Sequence, residues 1–298
     1  MISPDNFTAI THDSMPEYRH HLDAASQAAS DYSFVNIWAW AQEYGLTWAW
    51  DNDLVWLRQS LPYPAYWAPV GNWEAVDWQP RLLELTEKLP IIRVPEKLAG
   101  LWQSQAAHII TGEEARDHWD YIYDTSELIT LKGRKFHKKK NLLNQFKSKH
   151  DWHYIPMEQP FVDQVLKMQL NWCTWRNCEA SAGLAAEDRV ISKVLHNYAA
   201  LPNLLGGVIM VNEFDVAAFI VAEIIRPDTL VVHFEKGMGG YKGIYQAINQ
   251  MFLAANPEFV FVNREQDLGN EGLRKAKMSY NPAEFIKKYT FKWLQLNS

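Results

Sequence analysis

The residues best suited to chemistry lie near the end of the chain. Asn263, Arg264, Glu265, Gln266 and Asp267 follow a short apolar run, Phe259 to Val262, and precede a charged segment. Five polar residues where a strand ends and a helix begins mark the kind of place where open α/β sheets bind ligands. Arg264 offers a planar fork for a carboxylate or phosphate, and Glu265 or Asp267 can hold an amine. Upstream, His233 and Glu235 stand two apart in the β-rich run Val231 to Glu235 and so share one face. Glu223 belongs to a neighbouring run, Val216 to Ile225. A carboxylate withdrawn from water can take a proton from an amine, which makes Glu235 and Glu223 general-base candidates, with His233 a third. Each has a plainer role. His233 and Glu235 could be a structural hydrogen-bonded pair, and Asp267 a helix cap.

Between these runs Gly237, Gly239, Gly240 and Gly243 crowd one loop with Lys242, and Ile244 to Ala255 follows with apolar residues at helical spacing. Backbone N–H groups of Gly239, Gly240 and Gly243 could cradle a phosphate, with Lys242 adding charge. The competing reading is a turn that lets the helix pack close to the sheet. Tyr280 follows the basic residues Arg274, Lys275 and Lys277. Trp172, Trp175 and Arg176 end the segment Pro160 to Arg176, where an i,i+3 tryptophan pair is more often core than pocket. Cys173 and Cys178 are five apart, a spacing that puts them on different helix faces and favours neither a disulfide nor a metal pair. No Walker loop, zinc spacing, Gly-x-Ser-x-Gly or kinase set is present.

The charge is uneven. The chain of 298 residues carries −6 overall, yet Lys132 to Lys149 holds eight Lys or Arg and no acid, leaving 21 basic against 35 acidic residues elsewhere. The net charge argues against wholesale nucleic-acid binding, while one cationic helix could serve phosphates locally. Lys138, Lys139 and Lys140 are consecutive and must point in different directions. A solvated face is the plain reading of that run. No apolar stretch reaches the length of a membrane span, and the N-terminus lacks the basic and apolar regions of a signal peptide, so a cytoplasmic location is expected. Fourteen tryptophans, many before residue 80, imply either a thick core or a lined groove.

The elements that must position these residues repeat. Each half reads strand, helix, helix, three meandering strands, helix, strand, helix, strand. The first copy spans 1–115 and the second 151–298, with a connecting segment over 116–150 that contains the basic helix. In the second copy the helices are expected over Pro160 to Arg176 and Glu187 to Ala199. Strands follow at Leu204 to Val211, Val216 to Ile225 and Leu230 to Glu235, with a turn at Asn212-Glu213. Glu284 to Leu294 closes the chain as a strand or strand pair.

That order is the order of the GNAT acyltransferase fold, in which the fourth and fifth strands splay apart after the phosphate loop and the acyl donor inserts between them. Three stretches, Asp120 to Phe146 (DYIYDTSELITLKGRKFHKKKNLLNQF), HFEKGMGGYKGIYQAINQMF and FVNREQDLGNEGLRKAKMSYNP, resemble signatures of the phosphatidylglycerol lysyltransferase C-terminal family and its soluble relatives. The resemblance covers most of the chain and is strongest over 120–150 and 230–282. It implies an α/β (α+β) fold of two tandem GNAT-like domains with mixed, mostly antiparallel sheets. It implies an acyl- or aminoacyltransferase acting on an amine or hydroxyl, with acyl-CoA or aminoacyl-tRNA as donor. Within the resemblance Gly239, Gly240, Lys242 and Gly243 fall on the donor side, and with a tRNA donor Lys139 and Lys140 become backbone contacts. Trp172 and Arg176 border the acceptor pocket, and Tyr280 becomes a general-acid candidate. Asn263, Arg264, Glu265 and Asp267 remain the substrate-binding cluster. Two departures stand out. The membrane-embedded part of the lysyltransferases is missing, and Gly240-Tyr241-Lys242-Gly243-Ile244-Tyr245 keeps only the middle glycine of the coenzyme A loop. The alternative is a non-catalytic GNAT-like ligand-binding or interaction module. No metal is implied.

Overall fold

Leu204 to Val211 is apolar throughout, and Thr229 to Gly237 is buried at seven of nine positions although it carries His233, Glu235 and Lys236, a pattern for strands covered on both faces. The computed structural model describes residues 2–212 and 215–294, and Glu213, expected in a turn with Asn212, lies outside the described residues. In chain order the strands are β1 (Thr8–Ala9), β2 (Thr47–Asp51), β3 (Leu54–Gln59), β4 (Ala65–Gly71), β5 (Ile91–Pro95), β6 (Ile110–Glu114) and β7 (Asp120–Asp124). They continue with β8 (Trp152–Pro156), β9 (Leu204–Val211), β10 (Asp215–Arg226), β11 (Thr229–Gly237), β12 (Phe261–Asn263), β13 (Glu284–Ile286) and β14 (Lys288–Trp293). They form two mixed, mostly antiparallel sheets of seven strands, ordered β1-β2-β3-β4-β5-β14-β6 and β13-β7-β12-β11-β10-β9-β8.

The chain divides into two compact units. The first comprises residues 1–120, 266–271 and 285–298, and the second 121–265 and 272–284. The closing strand pair is therefore divided, β13 joining the second sheet and β14 the first. β14 runs antiparallel to both β5 and β6, with Phe291 opposite Gly112. A side chain at Gly112 would meet the Phe291 ring at 2.6 Å, so this glycine admits the returning strand. The basic helix, His137–Lys149, lies in the second unit.

In the first unit the tryptophans form core. Trp48, Trp56, Trp67, Trp73, Trp78 and Trp102 are all buried, which decides between core and lined groove. A charged knot sits among them. Lys288 donates to Asp31 and, at 2.6 Å, to Asp120, while Arg93 also pairs with Asp31. All four side chains are buried, and burial would raise the Asp31 pKa, but Lys288 and Arg93 hold it near 2.

In the second unit the helices Val162–Arg176 and Ala182–His196 precede the meander β9-β10-β11, and Ile244–Ala255 connects β11 to β12. The first of these ends at Arg176 because Asn177 turns left-handed, at φ 52°. That reversal brings Cys178 back to Cys173, and the two are disulfide-bonded with Cα atoms 5.0 Å apart. The sequence expectation of no disulfide was wrong because it extended helical spacing past the end of the helix. Among the described residues no helix is long and apolar enough to cross a membrane.

Candidate functional site

β11 and β12 run parallel for three pairs, from Thr229 with Phe261 to Val231 with Asn263. There they part, since β12 ends at Asn263 while β11 continues to Gly237. Side chains take over where backbone pairing stops. His233 contacts Glu223 through Nε2 at 3.1 Å and Glu265 through Nδ1 at 2.9 Å. Burial would lower the imidazole pKa, but the hydrogen bonds and charges of the two glutamates outweigh it and raise it to about 9. His233 is therefore an imidazolium at neutral pH, with both N–H groups committed, and has no lone pair with which to act as a base. Glu265 holds its place at φ 55°, with its N–H donating to Asn263 Oδ1 at 2.8 Å.

Next along β11, Glu235 accepts from Arg264 Nη2 on both oxygens, at 3.0 and 3.1 Å, and from Asn249 at 3.4 Å. The other terminal nitrogen of Arg264, Nη1, is buried and meets no acceptor among the described residues. The Arg264 guanidinium lies 4.8 Å from the Tyr280 ring centre. Tyr280 is 5% exposed, and burial raises its phenol pKa although Arg264 pulls the other way, so the proton stays on. Gln246 donates to that hydroxyl at 3.3 Å. Lys277 fixes the backbone by donating to the Arg264 carbonyl at 2.5 Å.

The basic helix reaches the same cluster. Lys138 and Lys140 are exposed, while Lys139 turns inward and sets its ammonium 4.0 Å from the Tyr280 ring centre. Burial, and then Arg264, lower its pKa. Three consecutive lysines thus divide into two that face solvent and one that faces the carboxylate.

Other expected residues lie elsewhere. Across the sheet, Lys236, Phe219, Val208 and Ile155 stand in register and share one face, whereas Glu235, Ile220 and Gly207 share the other. Lys236 pairs with Glu187 at 2.7 Å and lies 4.2 Å from the Trp172 ring centre. Trp172 thus covers Lys236, on the face opposite Glu235, and Arg176 lies 5.8 Å from the Trp172 ring centre. Asp267 belongs to the first unit, where it accepts from Gly269 N–H at 2.9 Å, ahead of the helix Glu271–Met278, and from the distant Arg116 at 3.2 Å. Among the loop glycines, Gly243 serves packing. Its φ is 92°, and a Cβ there would lie 2.1 Å from the Leu142 carbonyl of the basic helix. Gly239 admits the edge of the Trp175 ring. Gly240, at φ 93°, borders open space, and Lys242 is exposed.

Asn249 and Tyr123 escaped sequence reasoning. Asn249 interrupts the apolar helix Ile244–Ala255 at a buried position, a polar residue on a buried face that needs a partner. Tyr123 donates to the Lys277 carbonyl at 2.8 Å, and nothing in its sequence context signals this.

The first unit shows the same parting of strands with different contents. β4 and β5 pair in parallel at Tyr66 with Ile91 and Trp67 with Ile92. Beyond that point the buried Tyr32 hydroxyl donates to the Arg93 carbonyl at 2.9 Å and accepts from Ala68 N–H at 3.1 Å. One phenol fills the gap and ties the two backbones together.

The model of the family described as phosphatidylglycerol lysyltransferase, C-terminal, matches residues 23–292. The chain belongs to this family. A conserved protein of unknown function from Bacteroides thetaiotaomicron is 30% identical, covers 97% of this chain with 99% of its own, and superimposes with a TM-score of 0.89. L-PGS from Bacillus licheniformis shares the fold at 12% identity, with 85% of this chain and 90% of that one covered and a TM-score of 0.58. FemX does so at 9% identity, 95% and 96% coverage and the same TM-score of 0.58. An uncharacterised protein of Mycoplasmoides gallisepticum is 22% identical over 182 residues, 58% of this chain, and the match spans about half, 56%, of its length. The fold is tandem GNAT-like and is shared with L-PGS and FemX.

Proposed function

We propose that the protein is an acyl- or aminoacyltransferase whose working copy is the second unit. The observation that carries this reading is the Glu235–Arg264 pair at the parting of β11 and β12, with the Tyr280 phenol and the Lys139 ammonium beside it. A donor carbonyl, ester or thioester, enters the gap. The acceptor amine attacks it, forming the C–N bond, while Glu235 takes the amine proton. The bond to the leaving oxygen or sulfur breaks, and Tyr280 supplies its proton. Solvent then returns the proton from Glu235 to Tyr280. Backbone N–H groups of β11 beyond its last pair with β12 stabilise the oxyanion. Arg264 and Lys139 attract the donor's phosphates, and the exposed lysines of the basic helix extend that attraction outward. Aminoacyl-tRNA suits this charge distribution better than coenzyme A, because the glycine loop keeps little of the coenzyme A pattern and Gly243 is used for packing.

The test is a transfer assay with acetyl-CoA, longer acyl-CoAs and charged tRNA against a panel of amines. Glu235→Gln is expected to lower kcat by about 10²–10⁴-fold, the range for a lost general base, and Tyr280→Phe to act in the same direction. A variant Glu235→Gln that transfers as fast as the wild type would sink this role. The locked His233 and the packing use of Gly243 favour a second reading, a binding module without chemistry. Saturable donor binding with no turnover in any combination would establish it.

A further inference from the structure

A second concave site lies on the other face of the same sheet, away from Glu235. It is a cavity of about 720 Å³ where the helix Val162–Arg176 meets the outer strands β8, β9 and β10. The register that places Ile155 with Lys236 also assigns it to the face opposite the Glu235–Arg264 pair. Met168, Met210 and Val216 make a buried apolar floor. Three ionisable side chains stand on the rim: Lys167 from the helix, His153 from β8 and Asp215 from β10. All three are exposed, and none is ion-paired or hydrogen-bonded through its side chain among the described residues. The Asn171 amide, one helical turn beyond Lys167, completes the polar edge.

We propose that this cavity binds a zwitterion with an apolar body, an amino acid or short peptide carrying both a free ammonium and a free carboxylate. The argument is one of charge balance. An anion would meet Lys167 but be opposed by Asp215, and a cation would meet the reverse. A ligand with both charges satisfies each rim group, and its side chain covers the methionine floor. The volume is within the range of small-molecule sites, roughly 300–1,000 Å³, and exceeds the needs of a single small amino acid, so a dipeptide fits it better. Methionine floors adapt their shape, which suits a site that selects backbone charges over one particular side chain. This inference stands apart from the transferase reading, since it uses none of the residues in that mechanism.

The experiment is calorimetric titration of the full chain with L-leucyl-L-alanine, its N-acetyl derivative and its C-terminal amide. Saturable binding of the free dipeptide is expected at millimolar concentration or below, with each cap weakening it by about tenfold, the equivalent of one lost charged contact. In Lys167→Ala the acid and the amide should bind alike, and in Asp215→Ala the free and acetylated peptides should bind alike. Both residues are exposed, so both variants should fold. Absence of saturable binding to the wild type, equal binding of all three peptides, or binding that neither substitution alters would each overturn the proposal. Transfer activity of Glu235→Gln bears only on the other site, so the two ideas fail separately.

Discussion

His233 gives the sharpest quantitative expectation. Its side chain is fully buried between two glutamates, and its pKa of about 9 stands well above the unfolded value of 6.5. A group whose pKa is raised on folding contributes stability that is complete below its unfolded pKa and is lost as pH rises through its folded pKa. The folded protein keeps this proton between pH 6.5 and 9 while the unfolded chain releases it. Stability should therefore fall across that window, by about 1.4 kcal/mol per pH unit and about 3 kcal/mol in all. Replacing His233 by Gln removes the cation and leaves Glu223 buried without its counter-charge, at a cost of about 3–5 kcal/mol near neutrality. The comparison that isolates the effect is the difference in unfolding free energy between wild type and His233→Gln, from urea melts at pH 6, 7.5 and 9.5. That difference should be largest at pH 6 and smaller by about 3 kcal/mol at pH 9.5 or slightly above. A constant difference across these pH values would refute the claim that His233 is held as an imidazolium. Direct observation of the ring by NMR supplies the same test without unfolding, because an imidazole titrating near 6.5 would exclude the raised value.

Two further changes probe the frame around this site. Gly243→Ala places a methyl 2.1 Å from the Leu142 carbonyl at a φ of 92°, whereas Gly240→Ala meets no atom at a φ of 93°. Denaturant titration should show about 1–3 kcal/mol lost for Gly240→Ala from backbone strain alone, and distinctly more for Gly243→Ala. Equal losses would mean that the helix start does not depend on this close approach. In the first unit, Lys288→Met removes the cation shared by Asp31 and Asp120 and should cost about 3–5 kcal/mol in thermal or chemical unfolding. A near-neutral Lys288→Met would show that Arg93 alone suffices for both carboxylates.

The sequence made the element order legible because the apolar periodicity is strong in each segment. Ile244–Ala255 is a helix with the bounds expected, and the meander β9-β10-β11 lies where the β-rich runs indicated. Strand partners were less legible. Nothing in the run Lys288–Trp293 says that it will pair with β5 and β6, because register is fixed by a distant complementarity such as Phe291 against Gly112. The site was legible in part for the same reason. Glu235 and Arg264 were found as polar residues at strand ends, but the bond from Asn249 to Glu235 and the inward turn of Lys139 depend on how helices pack onto the sheet. For His233, spacing shows only that it stands two residues from Glu235 and not that two carboxylates hold it.

The two parted strand pairs explain why chemistry is assigned to one copy. In each unit a parallel pair separates, leaving backbone groups of one strand without a strand partner on that side. In the first unit Tyr32 answers that need with one buried hydroxyl, and the Ala68 N–H that could have faced an acyl group is already bonded. Opening that gap would leave a buried N–H and a buried carbonyl unsatisfied, a cost of about 1–3 kcal/mol for each. In the second unit the gap is spanned by charged side chains, His233 with Glu265 and Arg264 with Glu235. Among the described residues Arg264 Nη1 meets no acceptor, so an incoming carbonyl or phosphate oxygen would satisfy it. The same fold thus has one copy closed by a neutral phenol and one spanned by ion pairs with hydrogen-bonding capacity left over. On the proposed reading, the second is the copy that would take a ligand between its strands.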